Sequence, residues 1–277
     1  MTSYVIQSKN TISDEVLQLA ESLLSCTSPC EHSLLIKKKA TKKRSRHVYK
    51  AELNNTVYYF KMYTNHSVLK FLQEIPRGSR ASRAFDMSVT LKSKGFKLAQ
   101  PVAAFTNKIG AEYRRSVFIT EELAGEDFLH RFIEDTPNSA QTEIAGRLLA
   151  LYKQLIDQKI YHKDLNLTNC RMIDNQLHLI DVDDIRKVFF FHPFNLISNF
   201  SKQNIALVLL MARYPQTWFK NTHREEMIRN LCNRYLPDFC TPMLLSFIST
   251  QGFKKAQQFV SGPEQQEALR KLVAETK

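Results

Sequence analysis

The chain has 277 residues, with 39 Lys and Arg against 27 Asp and Glu, a net charge of +12 and a pI near 9.5. An apolar fraction of 43% beside 24% charged residues belongs to a globular protein and excludes wholesale disorder, while seven glycines and nine prolines exclude a collagen-like or linker-dominated chain. The length is enough for one large domain or two modest lobes, each with its own core.

Ser13 can cap a helix whose first turn carries Asp14 and Glu15, with Val16, Ala20, Leu23 and Leu24 at helical spacing behind it. Leu34 to Tyr63 reads as antiparallel strands: Leu34 to Ile36, a basic run, His47 to Leu53, the turn pair Asn54-Asn55, and Thr56 to Tyr63. From Ser79 the pattern is helical through Ala84, Phe85 and Leu91 to Lys94, with Gly95 as the stop. Val117 to Thr120 is a strand, Thr142 to Gln158 an amphipathic helix, and Arg171 to Ile180 a hairpin turning at Asp174-Asn175. The stretches Asn204 to Tyr214, Glu225 to Leu236, Met243 to Ser249 and Glu264 to Glu275 read as helices. The expectation is an α+β protein of two lobes, a strand-rich one over residues 1–120 and a helical one over 121–277, with a ligand cleft between them.

The longest apolar run, Ile205 to Ala212, is eight residues, where a helical membrane span needs roughly 20. The amino end has no basic start followed by an apolar stretch, so a cytoplasmic protein is expected. Five cysteines with no Cys-x-x-Cys pair point to reduced, buried thiols rather than a disulfide framework or a zinc site.

Residues 160–184, IYHKDLNLTNCRMIDNQLHLIDVDD, concentrate the chemistry. Asp164 and Asn169 are five apart in a loop after an amphipathic helix, and Asp181 ends the hairpin that follows. An Asp so placed can orient a hydroxyl nucleophile, and an Asn with a second Asp supplies the hard oxygen donors that Mg²⁺ takes. The order His-x-Asp, Asn, hairpin, Ile-Asp is that of a protein-kinase catalytic loop. His162 in this pattern is expected to be structural. A kinase needs a strand lysine for the nucleotide phosphates, and Lys61 is the only charge in TVYYFKMY. Backbone groups from Glu121 to Leu123, after the strand Val117 to Thr120, are placed by chain order to meet an adenine.

The combination of YYFKMY, SRASRAFDMSVTLKSKGFKLAQPVAAF, FITEELAGEDF, YHKDLNLTNCRM and LIDVDDIRKV resembles the lipopolysaccharide core kinases, the heptose and Kdo kinase family of protein-kinase-like fold. The resemblance runs over roughly residues 34–215. It implies ATP- and Mg²⁺-dependent phosphorylation of a sugar hydroxyl on the inner core of a lipid-linked oligosaccharide, at the cytoplasmic face of a Gram-negative inner membrane. By position it makes Asp164 the catalytic Asp, Asn169 and Asp181 the magnesium ligands, Lys61 the phosphate lysine, and Glu121 and Leu123 nucleotide-binding. The helix position that pairs with the strand lysine in protein kinases falls on Ala84, and Asp86 points about 200° away from it around the helix.

No glycine precedes Gly78, so a glycine-rich phosphate loop is absent; Lys37 to Lys50 stands in its place, with eight Lys or Arg and no acid. Lys42, Lys43 and Arg44 are the expected phosphate or substrate cations there. In RKVFFFHPFNLISNF, Arg186 to Phe200, the phenylalanines either pack a core or form a basic-aromatic edge against anionic lipid. Two other functions use the same residues: an atypical protein kinase or antibiotic phosphotransferase, and a kinase-like protein without transfer that binds anionic glycolipid. Basic charge counts against acceptors that are cationic aminoglycosides. Nucleic acid is not expected, since no aromatic platform interleaves with the basic run.

Overall fold

The computed structural model describes residues 4–8, 11–25, 34–40, 44–66, 77–107, 115–133, 138–162, 167–183, 185–189, 193–236 and 241–275. Two compact units emerge, one of Met1–Ala124 with His178–Asp183, the other of Gly125–Leu177 with Asp184–Lys277.

The first unit is built on one sheet. Its strands are β1 (Tyr4–Ser8), β2 (Leu34–Ala40), β3 (Arg44–Leu53), β4 (Thr56–Asn65), β5 (Pro101–Asn107) and β6 (Arg115–Glu121). They lie in the order β1-β5-β6-β4-β3-β2, and every neighbouring pair is antiparallel. Asn54 and Asn55 turn β3 into β4 with φ of 49° and 58°, the left-handed pair that a two-residue hairpin loop requires and that asparagine tolerates. Helix α1 (Asp14–Ser25) lays Val16, Leu19, Ala20, Leu23 and Leu24 on one face of the sheet, against Tyr49, Ala51, Phe60, Met62, Phe105, Val117 and Ile119. Each large apolar side chain enclosed there contributes about 1.5–3 kcal/mol.

Helix α2 (Arg80–Ser93) starts at Ser79, whose hydroxyl accepts from the Ser82 N–H, and Gly95 follows its C-cap at φ 80°. It covers the opposite sheet face: the Ala81 N–H donates to Ser116 Oγ on β6 at 3.4 Å. The segment His178–Asp183 is fastened to this unit by the Leu179 N–H donating to the Lys97 carbonyl at 2.9 Å.

The second unit contains β7 (Glu126–Asp127), α3 (His130–Ile133), α4 (Asn138–Asp157), β8 (Ile160–His162), a 3-10 turn at Leu167–Asn169, β9 (Cys170–Ile173) and the start of β10 (Gln176–Leu179). After β11 (Ile185–Lys187), which pairs antiparallel with β8, come α5 (Pro193–Arg213), α6 (Asn221–Tyr235), α7 (Thr241–Gln257) and α8 (Pro263–Glu275). Phe132 stacks on Trp218 at 5.3 Å, and the Trp218 indole N–H donates to the Arg131 carbonyl at 2.8 Å. Among the described residues no helix is long and apolar enough to cross a membrane.

The helices expected from periodicity are present, α5 and α7 longer than expected. Strands β1, β5, β7, β8 and β11 and the short α3 were not anticipated. The basic run is a further correction: rather than a long loop, it is largely two paired strands, with Lys37 opposite Val48, Lys38 opposite His47 and Lys39 opposite Arg46.

Candidate functional site

Register decides which side chains share a face. In the β3–β4 ladder Arg46 lies opposite Tyr63, Val48 opposite Lys61 and Lys50 opposite Tyr59, and directly opposed residues project to the same side. Arg46, Lys50, Tyr59, Lys61 and Tyr63 therefore form one polar stripe on the face away from α1. Lys61 itself has an 11% exposed side chain. A lysine this enclosed needs compensating groups, and its Nζ donates to the Ile180 carbonyl and to Asp181 Oδ1, each at 3.3 Å.

Asp181 and Asp183 are two residues apart just beyond β10, where the Asp183 N–H donates to Asp181 Oδ1 at 3.2 Å. Arg46 Nη1 donates to Asp181 Oδ2 at 3.2 Å and to Asp183 Oδ2 at 2.7 Å. The Tyr63 hydroxyl donates to Asp183 Oδ1 at 2.6 Å, and Arg80, the first residue of α2, brings Nη2 to 3.8 Å from Asp183 Oδ2 while stacking over the Tyr63 ring. Burial opposes charge on Asp181, but Lys61 and Arg46 more than offset it and hold the carboxyl well below the usual carboxylate range. Burial likewise opposes charge on Arg46, and Asp181 and Asp183 outweigh it, raising its pKa above the ordinary value. Burial, then Asp183, keep the Tyr63 phenol protonated by raising its pKa. Asp181 and Arg46 are thereby both held in their charged forms at neutral pH.

Ala84 is 3% exposed and offers no carboxylate, and Asp86 on the same helix is exposed. Helix α2 thus presents a cation, Arg80, to this site where a protein kinase presents an acid.

At the end of β6 the Glu121 N–H donates to the Gln100 carbonyl at 3.0 Å and the Glu122 N–H to the Val57 carbonyl at 2.7 Å. No hydrogen bond engages the Leu123 N–H among the described residues, so of the three it is the donor open to a ligand. Glu122 is pinned by Lys50 at 2.8 Å and by the Tyr59 hydroxyl at 3.1 Å, which fixes the backbone just beyond the strand.

Asp164, Lys42 and Lys43 lie outside the described residues, and Arg44 opens β3. Asn169 closes the 3-10 turn of the second unit, half-buried, and His162 is 4% exposed on β8 opposite Ile185. Among the described residues no three His, Cys, Asp or Glu side chains cluster as a metal cage. Mg²⁺ does not require one: it keeps several waters and takes one or two protein oxygens plus phosphate. The ionised carboxylate of Asp181 and the amide oxygen of Asn169 are donors of that kind.

Arg46, Tyr63, Arg80 and Asp183 were not singled out from sequence. The available signal was period two on β4, where Tyr63 follows Lys61 at the strand repeat; for Asp183 it was only its closeness in sequence to Asp181.

A model of the lipopolysaccharide kinase (Kdo/WaaP) family matches residues 36–188, over half of the chain. A solved structure of WaaP in complex with acyl carrier protein is similar in fold, with a TM-score of 0.57 at 14% identity, over 79% of this chain and 89% of that one. A crystal structure of WbdD gives a TM-score of 0.43 at 16% identity over 87% of this chain, which spans about half, 53%, of that protein. Among curated proteins no match was found. The α+β kinase-like fold expected from the sequence, with its strand-rich amino-terminal part and helical carboxy-terminal part, is the fold of WaaP.

Proposed function

The chain belongs to the lipopolysaccharide kinase (Kdo/WaaP) family, and from that premise we propose that it transfers the γ-phosphoryl group of ATP to a sugar hydroxyl of the lipopolysaccharide inner core. Membership makes it a kinase, a phosphotransferase of lipopolysaccharide biosynthesis. The choice of ATP and of an alcohol acceptor is the reading argued here, and the observation that carries it is the enclosed pairing of Lys61 with Asp181 at 3.3 Å.

Lys61 is a fixed cation for nucleotide phosphates, and the Leu123 N–H with the Glu121 carbonyl is the backbone pair for adenine. Asp164 accepts or orients the proton of the attacking hydroxyl. Asn169 and Asp181 would hold Mg²⁺, which when bound neutralises charge on the phosphate oxygens. Lys42, Lys43 and Arg44 contact phosphate or anionic glycolipid. The acceptor is lipid-linked, which places the protein at the cytoplasmic face of a Gram-negative inner membrane as a peripheral protein. Phe189, 95% exposed, beside the exposed Arg186 and Lys187 supports that contact.

The test is mass spectrometry of lipopolysaccharide after incubation of the deacylated and intact glycolipid with the protein and Mg-ATP. The expected gain is the mass of one phosphate. Asp164→Ala is expected to keep its melting temperature and to lose about 10² to 10⁴ in rate. An unchanged glycolipid contradicts the acceptor, and a fully active Asp164→Ala contradicts the site.

A further inference from the structure

Asp183 has no role in the reading above, yet its side chain is only 1% exposed and three cations surround it. Arg46 bonds it at 2.7 Å, while Lys61 and Arg80 each stand at 3.8 Å. Asp181 adds the second negative charge, so the cluster holds three positive charges against two negative ones. A buried carboxylate ringed this way fixes its cations in one geometry, because moving any of them strands charge in a poorly solvated place.

The geometry of Arg46 is informative. Both of its bonds to the two carboxylates leave from Nη1, and Nη2 and Nε have no hydrogen-bond partner among the described residues. A guanidinium is a planar fork suited to phosphate oxygens, and half of this one is uncommitted. It is the third residue of β3, in a chain with no glycine before Gly78 to build a backbone phosphate cradle. Lys61 lies on the neighbouring strand of the same stripe, two pairs along the ladder from the Arg46–Tyr63 pair.

We propose that Asp183 is a positioning residue that takes the place of the missing helix carboxylate, holding Arg46 beside Lys61 as a two-cation clamp for the nucleotide polyphosphate. The clamp rests on the ATP reading. Arg46 touches phosphate; Asp183 acts through Arg46 and Lys61, and Tyr63 braces Asp183 through its hydroxyl.

The experiment is isothermal titration of the full chain with ATP and, separately, with adenosine, which shares the base and ribose but has no phosphate. Arg46→Gln is expected to weaken ATP about tenfold or more and leave adenosine unchanged. Asp183→Asn, which keeps the shape and one acceptor oxygen, is expected to show the same selective loss. Should that variant fail to fold, Tyr63→Phe removes one bond to Asp183 and no charge, and a smaller loss confined to ATP is expected. Unchanged ATP affinity in Arg46→Gln overturns the clamp, and so do equal losses for ATP and adenosine, the mark of a merely structural role. A wild type that binds adenosine but discriminates no polyphosphate also overturns it. A wild type that binds neither ligand instead overturns the ATP reading itself.

Discussion

Cys170 opens β9 with no exposed surface, and burial, helped by the charge of Asp127, pushes its thiol up to about 12. Cys232 in α6 is equally enclosed and is pushed by burial up to about 11. A raised thiol pKa means that the folded state keeps its proton while the unfolded chain releases it. These groups therefore cost no stability below the unfolded value, near 8.5, and oppose folding as pH rises from there toward the folded value. Since the thiolate is the nucleophile, neither residue is reactive in the native protein. Of the five cysteines, no more than three are expected to react with a thiol reagent at pH 8 before denaturant is added, and all five afterwards; a fourth native thiol contradicts the enclosure. The same scale shows why half of the charged cluster was legible in sequence. Lys61 is a lone charge in an apolar strand and Asp181 ends an apolar run, so each announces a partner. Arg46, Arg80 and Asp183 come from three distant segments, and only strand register and the start of α2 bring them onto one stripe.

At the scale of elements, α5, α6 and α7 are locked by a polar contact that periodicity does not reveal. Arg224 of α6 has no exposed surface and donates to Asn204 Oδ1 of α5 at 2.6 Å and to Asn221 Oδ1 at 2.7 Å. Asn204 Nδ2 donates in turn to the Ile248 carbonyl of α7 at 2.9 Å. Gly252 leaves the room for this: a Cβ there would stand 1.9 Å from Asn204 Nδ2. Gly252→Ala should therefore destabilise by about 2 kcal/mol through displaced buried hydrogen bonds, although alanine is the better helix former. Gly146, exposed on α4 with nothing within 4 Å of an added Cβ, is the control. There the same substitution should stabilise by about 0.5–1 kcal/mol. Opposite shifts of the denaturation midpoint check both, and a stabilising Gly252→Ala contradicts the lock. The elements missed from sequence share a physical cause. Strand β5 begins with proline and carries two alanines, poor local β-formers, and is a strand because β1 and β6 pair with it on either side. Strand β2 is read from sequence only over Leu34 to Ile36 because Lys37 to Lys39 interrupt its apolar pattern, yet lysine suits an edge strand, where it discourages pairing with another chain.

For the whole molecule, the excess charge has two addresses. Eight cations without an acid lie between Lys37 and Lys50, six of them on β2 and β3 at the edge of the first unit's sheet. In the second unit, Arg186 stacks over the Tyr161 ring at 4.9 Å, and Lys202 bonds the Tyr161 hydroxyl at 2.7 Å. Beside exposed Lys187 projects Phe189, while Phe200, at the far end of the same aromatic run, has no exposed surface. Of the phenylalanines in the run, Phe200 fills the core, while Phe189 stands in solvent near exposed Arg186 and Lys187. A phenylalanine at 95% exposure loses nothing by entering a lipid interface, and each basic residue near an anionic surface adds about 1 kcal/mol, roughly fivefold in partitioning. The protein is expected to co-sediment with vesicles containing phosphatidylglycerol and not with neutral phosphatidylcholine vesicles, and high salt should release it because charge is screened. Phe189→Ala and the double variant Arg186→Glu with Lys187→Glu should each weaken binding, the second by well over tenfold, with melting temperatures unchanged. Neutralising Lys42, Lys43 and Arg44 separates the two addresses: if the basic run serves nucleotide or glycolipid rather than the bilayer, vesicle binding survives that change while affinity for one of those ligands falls. Equal binding to neutral and anionic vesicles, or double-variant binding equal to wild type, would remove the second-unit patch from membrane contact and leave the acceptor to be reached without it.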